Sequence, residues 1–167
     1  MVRLKQLAQD GASTDEVIKW DGSKWAPGSA GGAADRTIAD SLTTTGLANG
    51  DFGYASSANT MSKTDADSED SSEVFGCNEG TSGSMTVLGV VDAAKFTTEG
   101  GEPADGEPVW LAPASYDTNT GEGKATASEP SSAGQFAVRL GICLDNSNYA
   151  GSKTCKILLQ PSSPIGL

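Results

Sequence analysis

From residue 50 onward the apolar positions fall in short runs, at 52–55, 60–63, 73–77, 84–91, 109–111, 124–127, 135–144 and 155–160, separated by glycine, proline, aspartate and asparagine. Runs of this length between turn residues predict β-strands, because a strand buries alternate side chains and reverses where the backbone tolerates a tight turn. Two runs carry a glycine inside the apolar alternation: Gly89 in Met85-Thr86-Val87-Leu88-Gly89-Val90-Val91, and Gly141 in Phe136-Ala137-Val138-Arg139-Leu140-Gly141-Ile142-Cys143-Leu144. A glycine there marks a bend, a bulge or a close crossing over another backbone. Pro103, Pro108, Pro113 and Pro130 lie between runs or at their ends, where a missing N–H costs least.

Before residue 50 the pattern changes. Val2, Leu4 and Leu7 suit a short strand or one helical turn, broken by Asp10-Gly11. Val17-Ile18-Lys19-Trp20 has strand composition, Asp21-Gly22 supplies the positive φ angles of a two-residue turn, and Lys24-Trp25 returns antiparallel until Pro27-Gly28 ends the pairing. The result is a small hairpin carrying two tryptophans. Ser29-Ala30-Gly31-Gly32-Ala33-Ala34 has the composition of a flexible joint, and Ile38, Leu42 and Leu47 suit a short helix or an irregular arm lying on a partner. The expected architecture is mainly β, with an extended N-terminal attachment arm over 1–49 and a β module over 50–167. That module reads as a compact antiparallel β-sandwich or barrel, jelly-roll-like, with its strand order open.

The chain has 167 residues, of which 37% are hydrophobic and 6% aromatic, against 21 glycines. A monomer of this composition has a thin core, so further burial in an oligomer is expected. Residues 29–72 have a disorder-like composition, whereas the later runs predict an ordered C-terminal half. The net charge of −11 is uneven: residues 1–50 carry five basic and six acidic groups, and residues 51–167 six and sixteen. With no basic patch to replace counterions on a phosphate backbone, nucleic-acid binding is not expected. Neither a secretory signal nor an apolar run of spanning length is visible, which predicts a soluble protein without membrane partners.

The chain contains no histidine, which removes the commonest general base and metal ligand. Cys77, Cys143 and Cys155 are far apart and lack zinc-module spacing, so they read as three reduced, partly buried thiols, with a disulfide between Cys143 and Cys155 open if their strands are neighbours. Asp65-Ala66-Asp67-Ser68-Glu69-Asp70-Ser71-Ser72-Glu73 has the alternating acids of a calcium loop but not its glycine at the sixth position or its glutamate at the twelfth. It reads as a solvated acidic turn, with weak calcium binding as the alternative. Gly100-Gly101 lacks the context of a phosphate loop. Trp110 reads as core, and less readily as a sugar platform. No enzyme activity, cofactor or metal is expected.

Two stretches carry a resemblance. Arg3-Leu4-Lys5-Gln6-Leu7-Ala8-Gln9-Asp10-Gly11-Ala12-Ser13, followed by Val17-Ile18-Lys19-Trp20-Asp21-Gly22-Ser23-Lys24-Trp25-Ala26-Pro27, is similar to the opening of many tailed-bacteriophage fibre and virion surface proteins. The succession Val74-Phe75-Gly76-Cys77, Asp105-Gly106-Glu107-Pro108-Val109-Trp110-Leu111-Ala112, Gly123-Lys124-Ala125-Thr126-Ala127 and Arg139-Leu140-Gly141-Ile142-Cys143-Leu144 resembles a small β module of phage fibre proteins and, more loosely, of phage capsid cement (decoration) proteins. The resemblance implies a non-enzymatic virion protein made in the host bacterial cytoplasm. It would be a short fibre or spike component that is homotrimeric, docks on tail or major capsid protein and displays its module, to a host receptor if there is one. The alternative is a cement protein that clamps coat subunits. Docking is expected to use Leu4, Leu7, Trp20 and Trp25.

Overall fold

The computed structural model describes residues 16–20, 25–29, 36–38, 42–44, 46–80 and 84–167, the first three segments as paired backbone. The chain forms two compact units, Met1–Ala34 and Asp35–Leu167.

In the first unit, β1 (Glu16–Trp20) pairs antiparallel with β2 (Trp25–Ser29), and the register sets Trp20 directly opposite Trp25. The hairpin differs from the sequence expectation in two respects. Trp20 pairs with Trp25, where a two-residue Asp21-Gly22 turn would set Ser23 opposite it, and pairing continues through Pro27 opposite Ile18 and Gly28 opposite Val17. Each strand of a two-stranded ribbon is an edge strand, so the nitrogen of Pro27 can face away from the ladder without breaking it.

The second unit contains β3 (Arg36–Ile38), β4 (Phe52–Ser57), β5 (Thr60–Lys63), β6 (Gly76–Cys77), β7 (Met85–Lys95), β8 (Pro108–Leu111), β9 (Ala125–Thr126), β10 (Phe136–Ala137), β11 (Arg139–Asp145), β12 (Thr154–Leu159) and β13 (Ile165–Gly166). Nine of them form one antiparallel sheet in the order β5-β4-β6-β7-β12-β11-β8-β9, with β3 added on β7, while β10 and β13 make a separate ribbon. Each of the eight apolar runs contains a strand. The extra strands are β3, which includes Ile38 and replaces the helix or irregular arm expected there, and β13. Residues 35–49, grouped by sequence with the arm, belong to this unit because Arg36 to Ile38 pair with β7, Thr43 bridges to Thr60, and Asn78 Nδ2 donates to the Leu47 carbonyl at 3.2 Å.

The sheet curls into a half-barrel whose ends meet. The N–H of Phe52 in β4 donates to the Gly123 carbonyl at 2.7 Å, and the N–H of Gly123 to the Thr64 carbonyl at 2.8 Å. Alternation then decides the interior: Cys155, Ile157 and Leu159 of β12 face in while Lys156 and Leu158 face out. Phe52, Cys77, Val91, Val109, Leu111, Leu140 and Cys143 belong to the same buried core.

Curling requires bulges, and Gly141 sits at one. Between Arg139 and Gly141 the register against β8 slips by a residue, from Trp110 to Val109. Here β11 also crosses so close to β12 that a Cβ on Gly141 would stand 1.9 Å from the Leu158 carbonyl oxygen. Gly141→Ala is expected to lower stability by about 2–4 kcal/mol, read as a shifted urea midpoint, because backbone must move in the centre of the sheet.

Candidate functional site

The chain has no histidine, and the structure commits its best-placed carboxylates to binding the chain to itself. Asp51 is the most buried, its side chain 2% exposed. One oxygen lies 2.8 Å from Lys95 Nζ, and the other accepts the Ala48 N–H at 2.8 Å with Lys63 Nζ at 3.5 Å. The preceding Gly50 has φ +82°, and a Cβ there would stand 2.2 Å from the Ala93 carbonyl oxygen, so this turn presses directly on β7. Both lysines keep about a third of their side-chain surface in water, which spares the pair the full desolvation penalty of a buried ion pair. With both oxygens occupied, Asp51 is a bracket between turn and sheet.

Asp117 holds a second junction. Its carboxylate accepts the N–H and hydroxyl of Thr98 and the N–H of Glu99, and Lys124 Nζ lies 3.6 Å away. Burial raises its pKa, but these hydrogen bonds and the lysine charge outweigh burial and hold the carboxyl below its ordinary value. The same residue opens a left-handed turn, with φ 49° at Asp117, 61° at Thr118 and 63° at Asn119. Left-handed backbone costs an L-residue roughly 1–2 kcal/mol, and a β-branched threonine tolerates it worst, so the Asp117 contacts offset strain they help impose.

The acidic run is also a bracket, and so more than a solvated turn. Asp65 Oδ1 accepts the N–H of Asp67 and of Ala114, both at 2.8 Å, while Asp67 accepts the Ser115 N–H at 3.0 Å and the Gln135 side-chain amide at 3.1 Å. Among the described residues no group of three or more Cys, Asp or Glu is arranged to hold a metal ion.

All three cysteines are free and buried. Burial, with nearby acids adding to it, raises the Cys77 thiol well above its usual range and pushes Cys155 up to about 12, where Cys143 also contributes. Such thiols stay protonated at neutral pH and are poor nucleophiles while the fold is closed.

On the outer face of the sheet the register lines up Ile142, Leu158 and Val90 across β11, β12 and β7, with Leu88 beyond them. Leu88 is 44% and Leu158 37% exposed, which makes this an apolar strip on a strongly acidic protein. Shallow open grooves flank the C-terminal segment, one lined by Glu73, Val74, Pro161, Ser162, Ser163 and Pro164. Trp110 is not core as expected. Val109 and Leu111 take the inward positions of β8 and leave Trp110 half-buried, opposite Arg139 and Thr126. Of the residues expected to dock, Trp20 and Trp25 are opposed in the hairpin, while Leu4 and Leu7 lie outside the described residues. Sequence inspection did not single out Asp51 or Asp117, since their partners Lys95 and Thr98 are 44 and 19 residues away.

Compared with known proteins, the chain matches no family model, no curated protein and no solved structure.

The Asp117 bracket gives a pH signature. A carboxyl whose folded pKa is depressed stabilises the fold fully above its unfolded value of about 3.9, and that stabilisation fades as pH falls through the lower folded value. Asp117→Asn is expected to cost about 1–2 kcal/mol at neutral pH through its lost charge-assisted hydrogen bonds. In denaturant titrations the gap between wild type and variant should stay constant above about pH 5 and narrow below about pH 4.

Proposed function

We propose that the chain is a non-enzymatic structural protein of a tailed-phage virion, a short fibre or spike component that docks through its N-terminal unit and displays the β unit. The observation that carries this reading is the division of the chain into a hairpin unit with Trp20 opposite Trp25 and a separate, closed half-barrel. That arrangement suits a protein working through two surfaces, one for attachment and one for display. A small glycine-rich β unit with an exposed apolar strip gains by burying that strip against copies of itself, and the reading includes a homotrimer.

A second reading, capsid cement, is favoured by one feature. The segment Arg36–Ile38 adds to β7 as a strand, and strand addition is how a clamp would engage a coat-protein sheet.

Replacing both tryptophans, Trp20→Ala with Trp25→Ala, is expected to leave the melting of the β unit unchanged while abolishing incorporation into particles, assayed by mass spectrometry of purified virions. Undiminished incorporation overturns docking through the hairpin. Copy number against the major coat protein separates the two readings: a few per cent or less is expected for a fibre or spike, whereas a ratio near one, or a simple fraction of it, makes the chain cement.

A further inference from the structure

We propose that Cys143 and Cys155 form a modification site, a thiol pair that closes to an intramolecular disulfide between β11 and β12 when the chain meets a small-molecule disulfide such as oxidised glutathione, while Cys77 stays reduced. The strand register sets Cys143 opposite Ile157 and, after a shift at Leu144, Asp145 opposite Lys156. Cys155 is two residues from Ile157 and shares its inward face, as Cys143 does, so the two sulfurs stand diagonally across one strand pair. Both residues are all but excluded from solvent, at 0% and 1% exposure, and each thiol contributes to the shift of the other's pKa. On flat strands a diagonal pair sits at the outer limit of disulfide reach. Here both belong to one core cluster, on the inward face of adjacent strands, and bridging them draws the two strands together. Cys77 has no such neighbour. It lies on β6, separated from β12 by β7, and its sulfur is directed to the Asn78 carbonyl at 3.9 Å.

The chemistry is thiol–disulfide exchange. One protein thiol loses its proton and attacks a sulfur of oxidised glutathione, and the departing glutathione thiolate takes up a proton. The second protein thiol, deprotonated in turn, attacks the protein sulfur of the mixed disulfide and expels the second glutathione. Two protein thiols thus lose two protons and two electrons, and one oxidised glutathione becomes two reduced ones. Burial controls the rate, because the first attack requires the core to open. In the connection between the two strands, Tyr149 belongs to the same core as both cysteines and donates its hydroxyl to the Thr97 carbonyl at 3.0 Å. Its ring meets Phe96 edge-on at 6.3 Å, and Lys153 Nζ lies 4.2 Å from its centre. Once formed, the bridge closes a short loop and restricts the unfolded chain more than the folded one.

The full-length chain is treated with oxidised glutathione in its native state and, separately, while refolding from denaturant in the same buffer. Intact mass and non-reducing peptide mapping follow. The expected product is lighter by two hydrogens, joins the Cys143 and Cys155 peptides, leaves Cys77 open to alkylation after denaturation, and melts higher until dithiothreitol is added. Cys143→Ser and Cys155→Ser should each end refolding with a glutathione adduct and no rise in melting temperature, and Cys77→Ser should behave as wild type. A bridge to Cys77, disulfides between chains, a lasting glutathione adduct on the wild-type chain, a bridged form that melts lower, or free thiols after both treatments would overturn the proposal.

Discussion

A chain with so few large apolar side chains can exclude water from a core only by wrapping one sheet around it, and β7 is the strand that holds the wrap together. Its eleven residues pair with β12 over the C-terminal part and, at Thr86, with β3 on one edge and β6 on the other. The rest of the half-barrel extends from these pairings: β4 and β5 beyond β6, and β11, β8 and β9 beyond β12. A flat sheet would leave one apolar face open to water. Bulges beside Gly141 and along β7 allow the curvature that brings Gly123 back to Phe52 and shuts the core.

The carboxylates do much of what apolar area does in a richer sequence. Asp51, Asp65, Asp67 and Asp117 each join segments distant along the chain, and each receives at least one backbone N–H. Backbone donors in turns are groups that would otherwise need water, so an acid placed over them satisfies the turn and ties it to a neighbour. Several acids of the second unit are thus internal ligands for its own loops. The same use turns these carboxylate oxygens toward the chain itself.

The proposed virion role and the proposed thiol pair share a physical setting. A surface protein of a released particle leaves a reducing cytoplasm for an oxidising medium, and a buried thiol pair set diagonally across two strands, as proposed, would stay open in the first and close in the second. The apolar strip over Ile142, Leu158 and Val90 lies on the opposite face of those same strands. Bridging β11 to β12 would therefore stiffen the part of the sheet that presents the strip.

Strand content was readable because it is local. Thr60–Lys63 appears at its predicted bounds, and Gly141 was recognisable as a bulge position from the broken alternation around it. The hairpin was readable too, but not its length, because whether Pro27 pairs depends on which edge its nitrogen faces. Trp110 was misplaced because Val109, Trp110 and Leu111 are all apolar, and alternation alone does not say which face is inside. The distant partners of Asp51 and Asp117 were invisible, since a carboxylate that meets a lysine 44 residues away or a backbone N–H 19 residues away leaves no spacing to read. The sequence alone thus determined a mainly β chain with a tryptophan hairpin before it, through periodicity, turn residues and composition acting over a few residues. Only the tertiary structure decided which face of each strand is buried and which acids become brackets, because those outcomes depend on the curl of the sheet and on contacts between segments far apart in the chain.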